Sequence, residues 1–194
     1  MTICFTRLKM SLFNSLNSID YNLLIQIHSL TQNSFLDSVM PYISAMGDMG
    51  AIWILFSLIL LANKKYRIVG IMCLAALLLT ATIGEGVLKN LMQRPRPFVL
   101  YPSIQPIIPK PPSFSFPSGH TASSFAAAWI ISRNLKKAAL AAYILAAAIA
   151  FSRLYLMVHY PSDILGGILL GTVCAVCAEA LLKKYWTKKG LKQI

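Results

Sequence analysis

Acid is what this chain lacks. Its 194 residues carry only 6 Asp and Glu against 18 Lys and Arg, and charged residues of both signs make up just 12%, about half the share of a soluble domain. With 57% hydrophobic residues beside that shortage, an ordinary water-soluble domain is excluded and lipid is the expected solvent for much of the chain. Cysteine is sparse too. Of four, only Cys174 and Cys177 are closely spaced, inside an apolar helical stretch with no second ligand pair, so packing rather than a redox or zinc site is expected. The N-terminus, MTICFTRLKMSLFNSLNS, has neither an uninterrupted apolar run nor a small-residue cleavage site, and does not read as a cleaved signal peptide. The net charge of +12 would suggest nucleic acid in a soluble protein. Here the basic residues fall between apolar stretches, so the expected partner is the bilayer surface and not nucleic acid.

Crossing the hydrocarbon takes about 20 apolar residues of helix. Four stretches qualify: Pro41 to Asn63, Ile68 to Leu88, Ala138 to His159 and Ile164 to Leu182. Gly119 to Leu135 is shorter, but its neighbours need it as a crossing. The expected fold is therefore an all-α integral membrane bundle of about five transmembrane helices, or six if the N-terminal segment also crosses. Residues 1–40 are expected as an amphipathic interfacial segment, with apolar Ile19, Leu23, Leu24, Ile27 and Leu30 at helical spacing and Asp20, His28 and Asp37 among them. A sixth crossing there would bury Asp20. Residues 41–185 form the transmembrane domain, with an external loop at 97–118, and residues 186–194 a basic cytoplasmic tail.

Short Lys and Arg clusters mark the cytoplasmic side. Five spans put all three clusters, at 64–67, 133–137 and 183–192, on one side. Arg7 and Lys9 are then the one discord. The opposite side still holds Lys89, Arg94, Arg96, His120 and His159 at or near span ends, with Arg153 about 9 Å deeper at 1.5 Å per residue. Any single basic group there could snorkel to headgroups; six converging by topology require a function. Several cations aimed at one place require an anion, and phosphate suits guanidinium and ammonium donors. Ser118 is a helix cap, ordinary by itself, while Gly119 lets the backbone approach a bound group and His120 follows in the first helical turn. Asp163 lies four residues after His159, across a Tyr-Pro-Ser turn. It can orient that imidazole as a nucleophile or base, or simply sit favourably in the first turn of the last helix. Glu85, one turn before Lys89, is spaced for an ion pair; Asp48 is open between a partner of the site and a packing detail.

These residues form three blocks in order: Lys89-x6-Arg96-Pro97, Pro117-Ser118-Gly119-His120, and Ser152-Arg153-x5-His159-x3-Asp163. Together they resemble the three-part signature of the type 2 phosphatidic acid phosphatase superfamily. The resemblance implies metal-independent phosphoryl transfer without a cofactor: His159 as nucleophile, Asp163 orienting it, His120 protonating the leaving oxygen, and Lys89, Arg96, Ser118, Gly119 and Arg153 binding phosphate. The six acids and three histidines are scattered, so no carboxylate cluster suited to Mg²⁺ is expected on that face either. Arg94 lies outside the signature and is expected against the bilayer surface, or against a second phosphate or headgroup. The leading expectation is an undecaprenyl pyrophosphate phosphatase of the plasma membrane with an outward-facing site. Phosphatidylglycerophosphate, phosphatidic acid and lipid A phosphatases share the signature, and so do vanadate-binding haloperoxidases; a non-enzymatic lipid receptor would have no use for a His–Asp pair. Substrate choice is expected to lie in residues 98–116 and the N-terminal helix, and the oligomeric state is not legible.

Overall fold

The computed structural model describes residues 2–188, with side chains described for residues 17–186. Nine α-helices follow in chain order: α1 (Thr2–Thr31), α2 (Ser34–Met46), α3 (Ala51–Ala62), α4 (Arg67–Ala81), α5 (Lys89–Met92), α6 (Pro97–Leu100), α7 (Gly119–Asn134), α8 (Ala139–Tyr155) and α9 (Pro161–Lys188). The part of the expected basic tail beyond Lys188 lies outside the described residues, as do the side chains of Arg7 and Lys9.

Helix α7 is the axis of the bundle, packed against α4, α8 and α9. Its composition explains the position. Ala122, Ala126, Ala127 and Ala128 are essentially fully buried, and such small side chains let backbones approach closely where lipid supplies no hydrophobic drive between helices. At the crossing with α9, a Cβ on Gly171 would collide with the carbonyl of Ala122. Around this axis Met72, Cys73 and Ala76 of α4, Ala146 and Ile149 of α8 and Ala175 and Ala178 of α9 form the main core. A second core at the other end joins Leu24 of α1, Phe98 of α6 and Tyr155, Leu156, Val158 and Tyr160. Leu78, Leu140, Leu165, Leu169 and Leu181 face outward, as a lipid-facing surface requires.

Three helical segments are long and apolar enough to cross a membrane unaided, Arg67–Leu100, Lys136–Tyr155 and Pro161–Trp186. The first expected span differs from expectation. It begins at Ser34, capped by the Asn33 side chain, so the helix expected to run unbroken from the N-terminal segment is interrupted at residues 32–33. It then breaks at 47–50, where Met49 and Gly50 take φ of 53° and 70°, and the pair Ser34–Met46 and Asp48–Ala62 is bent by 46°. If that pair is one span, it makes a fourth. The expected crossing at α7 has 16 residues, about 24 Å of helix against a hydrocarbon core of about 30 Å. Protein rather than lipid covers most of it, which accommodates the shortfall.

The N-terminal helix is bound into the bundle. Leu24 is fully buried and Asp20 is 5% exposed, so the burial that argued against a crossing here does occur. It is made tolerable by the arginine described below. The basic clusters fall at the α3–α4, α7–α8 and α9 ends, opposite the end where α5, the start of α7, the end of α8 and the start of α9 meet.

Candidate active site

Four chain segments deliver the expected residues to one cavity of about 980 Å³, lined by Lys89, Arg96, Gly119, His120, Arg153 and His159 among others. Each is placed by a local irregularity. The α4 helix widens into a π-helical stretch over Thr82–Leu88, a form that concentrates at functional sites, and brings Lys89 inward to 5% exposure. Gln93 then turns the chain at φ 49°. The proline-flanked arginine at 96 stands in extended backbone before Pro97 starts α6. Ser118 caps α7, its Oγ accepting from the Thr121 amide, and the Ser118 N–H donates to the Asp163 carbonyl at 3.1 Å. α8 ends at Tyr155, earlier than expected, so His159 lies in the turn 156–160 between two spanning helices.

The histidine is fixed through both nitrogens. Nδ1 lies 3.3 Å from Asp163 Oδ2, while Nε2 faces Arg96 Nη1 at 3.2 Å. A guanidinium only donates, so Nε2 accepts, and the ring proton resides on Nδ1 toward the carboxylate. That tautomer leaves Nε2 unprotonated at the cavity, with its lone pair accepting from Arg96 Nη1. Burial, and then the charges of Arg96, Arg153 and Lys89, hold the His159 imidazole well below its ordinary pKa, so the ring is neutral near pH 7. Asp163 is fully buried; its Oδ2 also accepts from the Tyr160 amide at 2.9 Å and from the Ser115 hydroxyl.

The cations form a shell around this nitrogen. Lys89 Nζ bonds Glu85 Oε1 at 2.8 Å and Ser113 Oγ at 3.1 Å. Arg96 donates to the Ser113 carbonyl at 2.7 Å and the Val158 carbonyl at 2.9 Å. Arg153 donates to Ser44 Oγ, while its buried Nε has no hydrogen-bond partner among the described residues. A buried guanidinium donor left over in a cavity is what an incoming oxyanion satisfies. A Cβ on Gly119 would run into the Glu85 carboxylate. That acidic group therefore lies against the open end of α7, where a helix N-terminus favours negative charge. His120 Nε2 is 2.7 Å from Asp48 Oδ1. The break at 47–50 gives Asp48 its reach, and Gly47 packs so closely under the ring that a Cβ there would meet His120 Cδ2 at 2.8 Å.

Comparison with known proteins gives the family of the chain. The profile of the PAP2 superfamily matches residues 70–187. The chain belongs to the PAP2 superfamily. It is 31% identical over 150 residues to an undecaprenyl-diphosphatase of Sulfolobus acidocaldarius, covering 77% of this chain and 72% of that protein. In fold it matches a PAP2-type phosphatidylglycerolphosphate phosphatase from Bacillus subtilis with a TM-score of 0.72 at 24% identity, over 94% of each chain. Aquifex aeolicus LpxE matches with a TM-score of 0.73 at 25% identity, over 82% of this chain and 93% of that one. This is a PAP2 lipid phosphatase, a phosphoric ester hydrolase and a multi-pass membrane protein.

Within this PAP2 site, Lys89, Arg96, Ser118, Gly119, His120, Arg153, His159 and Asp163 are brought together. Glu85 makes the expected ion pair. Arg94 is a correction to the bilayer-surface expectation: it is 1% exposed, buried within the protein, and held by Asp20 Oδ2 and Asp163 Oδ1, each at 2.6 Å. The segment 98–116, expected to govern substrate choice, also supports the site, since Ser113 and Ser115 reach inward to the cations and to Asp163. The alternation Ser113-Phe114-Ser115 in an extended proline-rich run was the available signal, placing both hydroxyls on one side.

Proposed function

We propose that this PAP2 phosphatase removes the terminal phosphate of undecaprenyl pyrophosphate through a phosphohistidine intermediate. The observation that carries the mechanism is the His159 ring, with Nδ1 on Asp163 and an unprotonated Nε2 beside Arg96 at the cavity. Arg96 Nη1 passes from Nε2 to a phosphoryl oxygen, Nε2 attacks the terminal phosphorus, the bridging P–O bond breaks, and undecaprenyl phosphate leaves with a proton supplied by His120. Lys89, Arg96, Arg153, the Ser118 hydroxyl and the amides at Gly119 hold the phosphoryl oxygens as charge spreads over them. Water then attacks the phosphohistidine, His120 accepts its proton, and inorganic phosphate departs. Substrate phosphate would displace the Glu85 carboxylate from the mouth of α7.

A metal-independent reaction is supported by the donor set. Each described acid at the site is already bonded to a basic side chain: Glu85 to Lys89, Asp48 to His120, Asp20 and Asp163 to Arg94. Their charge is committed to those side chains rather than to a metal ion. The substrate reading is supported by relatives named as undecaprenyl-diphosphatases. The cavity also has an apolar wall of Leu77, Ala81, Leu170 and Ile108, suited to the first isoprene units. The proline-rich loop 98–116 contributes Ile108, Pro109, Pro111 and Pro112 to the same wall, and we assign it the reading of the lipid. We keep the division into an N-terminal segment at 1–40, a transmembrane phosphatase domain at 41–185 and a basic tail at 186–194.

The deciding experiment is phosphate release from the detergent-purified chain against undecaprenyl pyrophosphate, phosphatidylglycerophosphate, phosphatidic acid and lipid A, each with and without EDTA. Turnover is expected to be fastest with the pyrophosphate and insensitive to EDTA. A preference for phosphatidylglycerophosphate would replace the substrate, and loss of activity in EDTA would end the metal-free mechanism. Because the basic clusters lie at the far end of the bundle, the site is assigned to the extracytoplasmic face of the plasma membrane. Gln105→Cys, in a chain with its native cysteines replaced, is expected to react with an impermeant maleimide in intact cells. Protection of that exposed loop position would invert the orientation.

A further inference from the structure

Among the described residues at this end, Arg94 is the arginine that does not line the cavity. Its guanidinium is saturated elsewhere. Nε and Nη2 donate to Asn17 Oδ1 at 3.1 and 2.8 Å, Nη2 also reaches Asp20 Oδ2, and Nη1 reaches Ser162 Oγ at 2.7 Å and Asp163 Oδ1. One face of the planar group lies 4.1 Å from the centre of the Tyr160 ring. Asp20 in turn accepts from the backbone and hydroxyl of Ser162, the residue before Asp163. Two carboxylates 143 positions apart in sequence, one on α1 and one at the start of α9, thus share a single buried cation.

We propose that Arg94, anchored by Asn17 and Asp20 of α1, is a positioning residue that fixes the plane of the Asp163 carboxylate, so that one of its oxygens stays directed at His159. This rests on the reading of His159 as nucleophile. The division of labour on Asp163 is complete: Oδ1 is taken by Arg94, and Oδ2 is left to His159 Nδ1, the Tyr160 amide and Ser115. Rotation of the carboxylate about its Cβ–Cγ bond would break the contact to Arg94, so the guanidinium acts as the stop. A lysine could keep the charge but not the planar fork that spans Asn17, Asp20, Ser162 and Asp163 at once. The consequence for the architecture is that α1 belongs to the catalytic frame. Its polar residues at 17 and 20 are separated by three positions and share the face turned to α9.

The test is steady-state kinetics on Arg94→Gln, Arg94→Lys, Asp20→Asn and the double variant Arg94→Gln/Asp20→Asn, each assayed below its own melting temperature. Arg94→Gln is expected to lower kcat about 100-fold, as small misplacements of catalytic groups do, with KM within about threefold because the phosphate-binding cations are untouched. Arg94→Lys is expected to fall between that variant and the native chain. Relieving one of the two uncompensated carboxylates should raise the melting temperature of the double variant above that of Arg94→Gln without restoring kcat. If kcat returns together with thermal stability, or if Arg94→Gln changes KM alone, the positioning role is overturned and Arg94 is a staple of the fold or a substrate ligand. His159→Ala run in parallel separates the two levels. Turnover retained there removes the site reading itself; turnover lost there but intact in Arg94→Gln removes only the role of Arg94.

Discussion

Replacing His159 with alanine is expected to lower kcat by about 10⁴-fold or more, the scale on which loss of a covalent nucleophile acts. Among the described residues lining the cavity, the other hydroxyl and imidazole groups are already hydrogen-bonded. His120 has its Nε2 on Asp48, and the Ser118 hydroxyl already accepts from Thr121. Substrate binding is expected to survive, since Lys89, Arg96 and Arg153 remain, so the loss should appear in kcat with little change in KM. A chemical readout accompanies the kinetic one. With ³²P in the terminal phosphate, quenching the native enzyme in alkali should leave a protein-bound label that is released on brief acid treatment, the behaviour of a phosphoramidate. The alanine variant should carry none. Full turnover by that variant, or label that resists acid, would remove phosphohistidine from the pathway.

Much of this site was legible because its residue types are costly in a membrane. Lys89, Arg96, Arg153 and His159 stand out in apolar sequence, and topology alone carries them to one end of the bundle. What stayed hidden depends on backbone irregularity. Nothing in Thr82–Leu88 marks a π-helical stretch, although it aims Lys89, and a straight reading of residues 41–63 as one helix conceals the break that lets Asp48 reach His120. Asp20 shows a different limit. Judged alone, an acid on an apolar helix argues against burial; paired with Arg94 it is buried at a tolerable cost, because breaking such a pair is what is expensive. A sequence displays both charges without their 2.6 Å separation. Ser113 and Ser115 escaped for a third reason: a proline-rich run reads as a solvent-facing lid until long-range contacts turn its hydroxyls inward.

Asp163→Asn is the change in which geometry and chemistry give the most specific expectation, a fall in kcat of about 10³- to 10⁴-fold with the nucleophile still present. The native carboxylate is an acceptor at both oxygens. Oδ1 receives Arg94, and Oδ2 receives the Tyr160 amide, the Ser115 hydroxyl and His159 Nδ1. An amide must turn its NH₂ toward one of these sets. Facing Arg94, it opposes a donor with a donor and leaves Asp20 as the one carboxylate on the guanidinium. Facing His159, it donates to Nδ1, which moves the ring proton to Nε2 and blocks the lone pair that attacks phosphorus. Each orientation sets a donor against a donor, so the melting temperature is expected to fall and both orientations to be populated, with a neutral His159 no longer held in one tautomer. Nitrogen-15 NMR of labelled histidine distinguishes the causes: the native ring should report a protonated Nδ1, and the variant a mixture or an Nε2–H form. If the variant keeps the native tautomer and native kcat, Asp163 acts only through the packing of α9, and the account of how His159 is made nucleophilic fails with it.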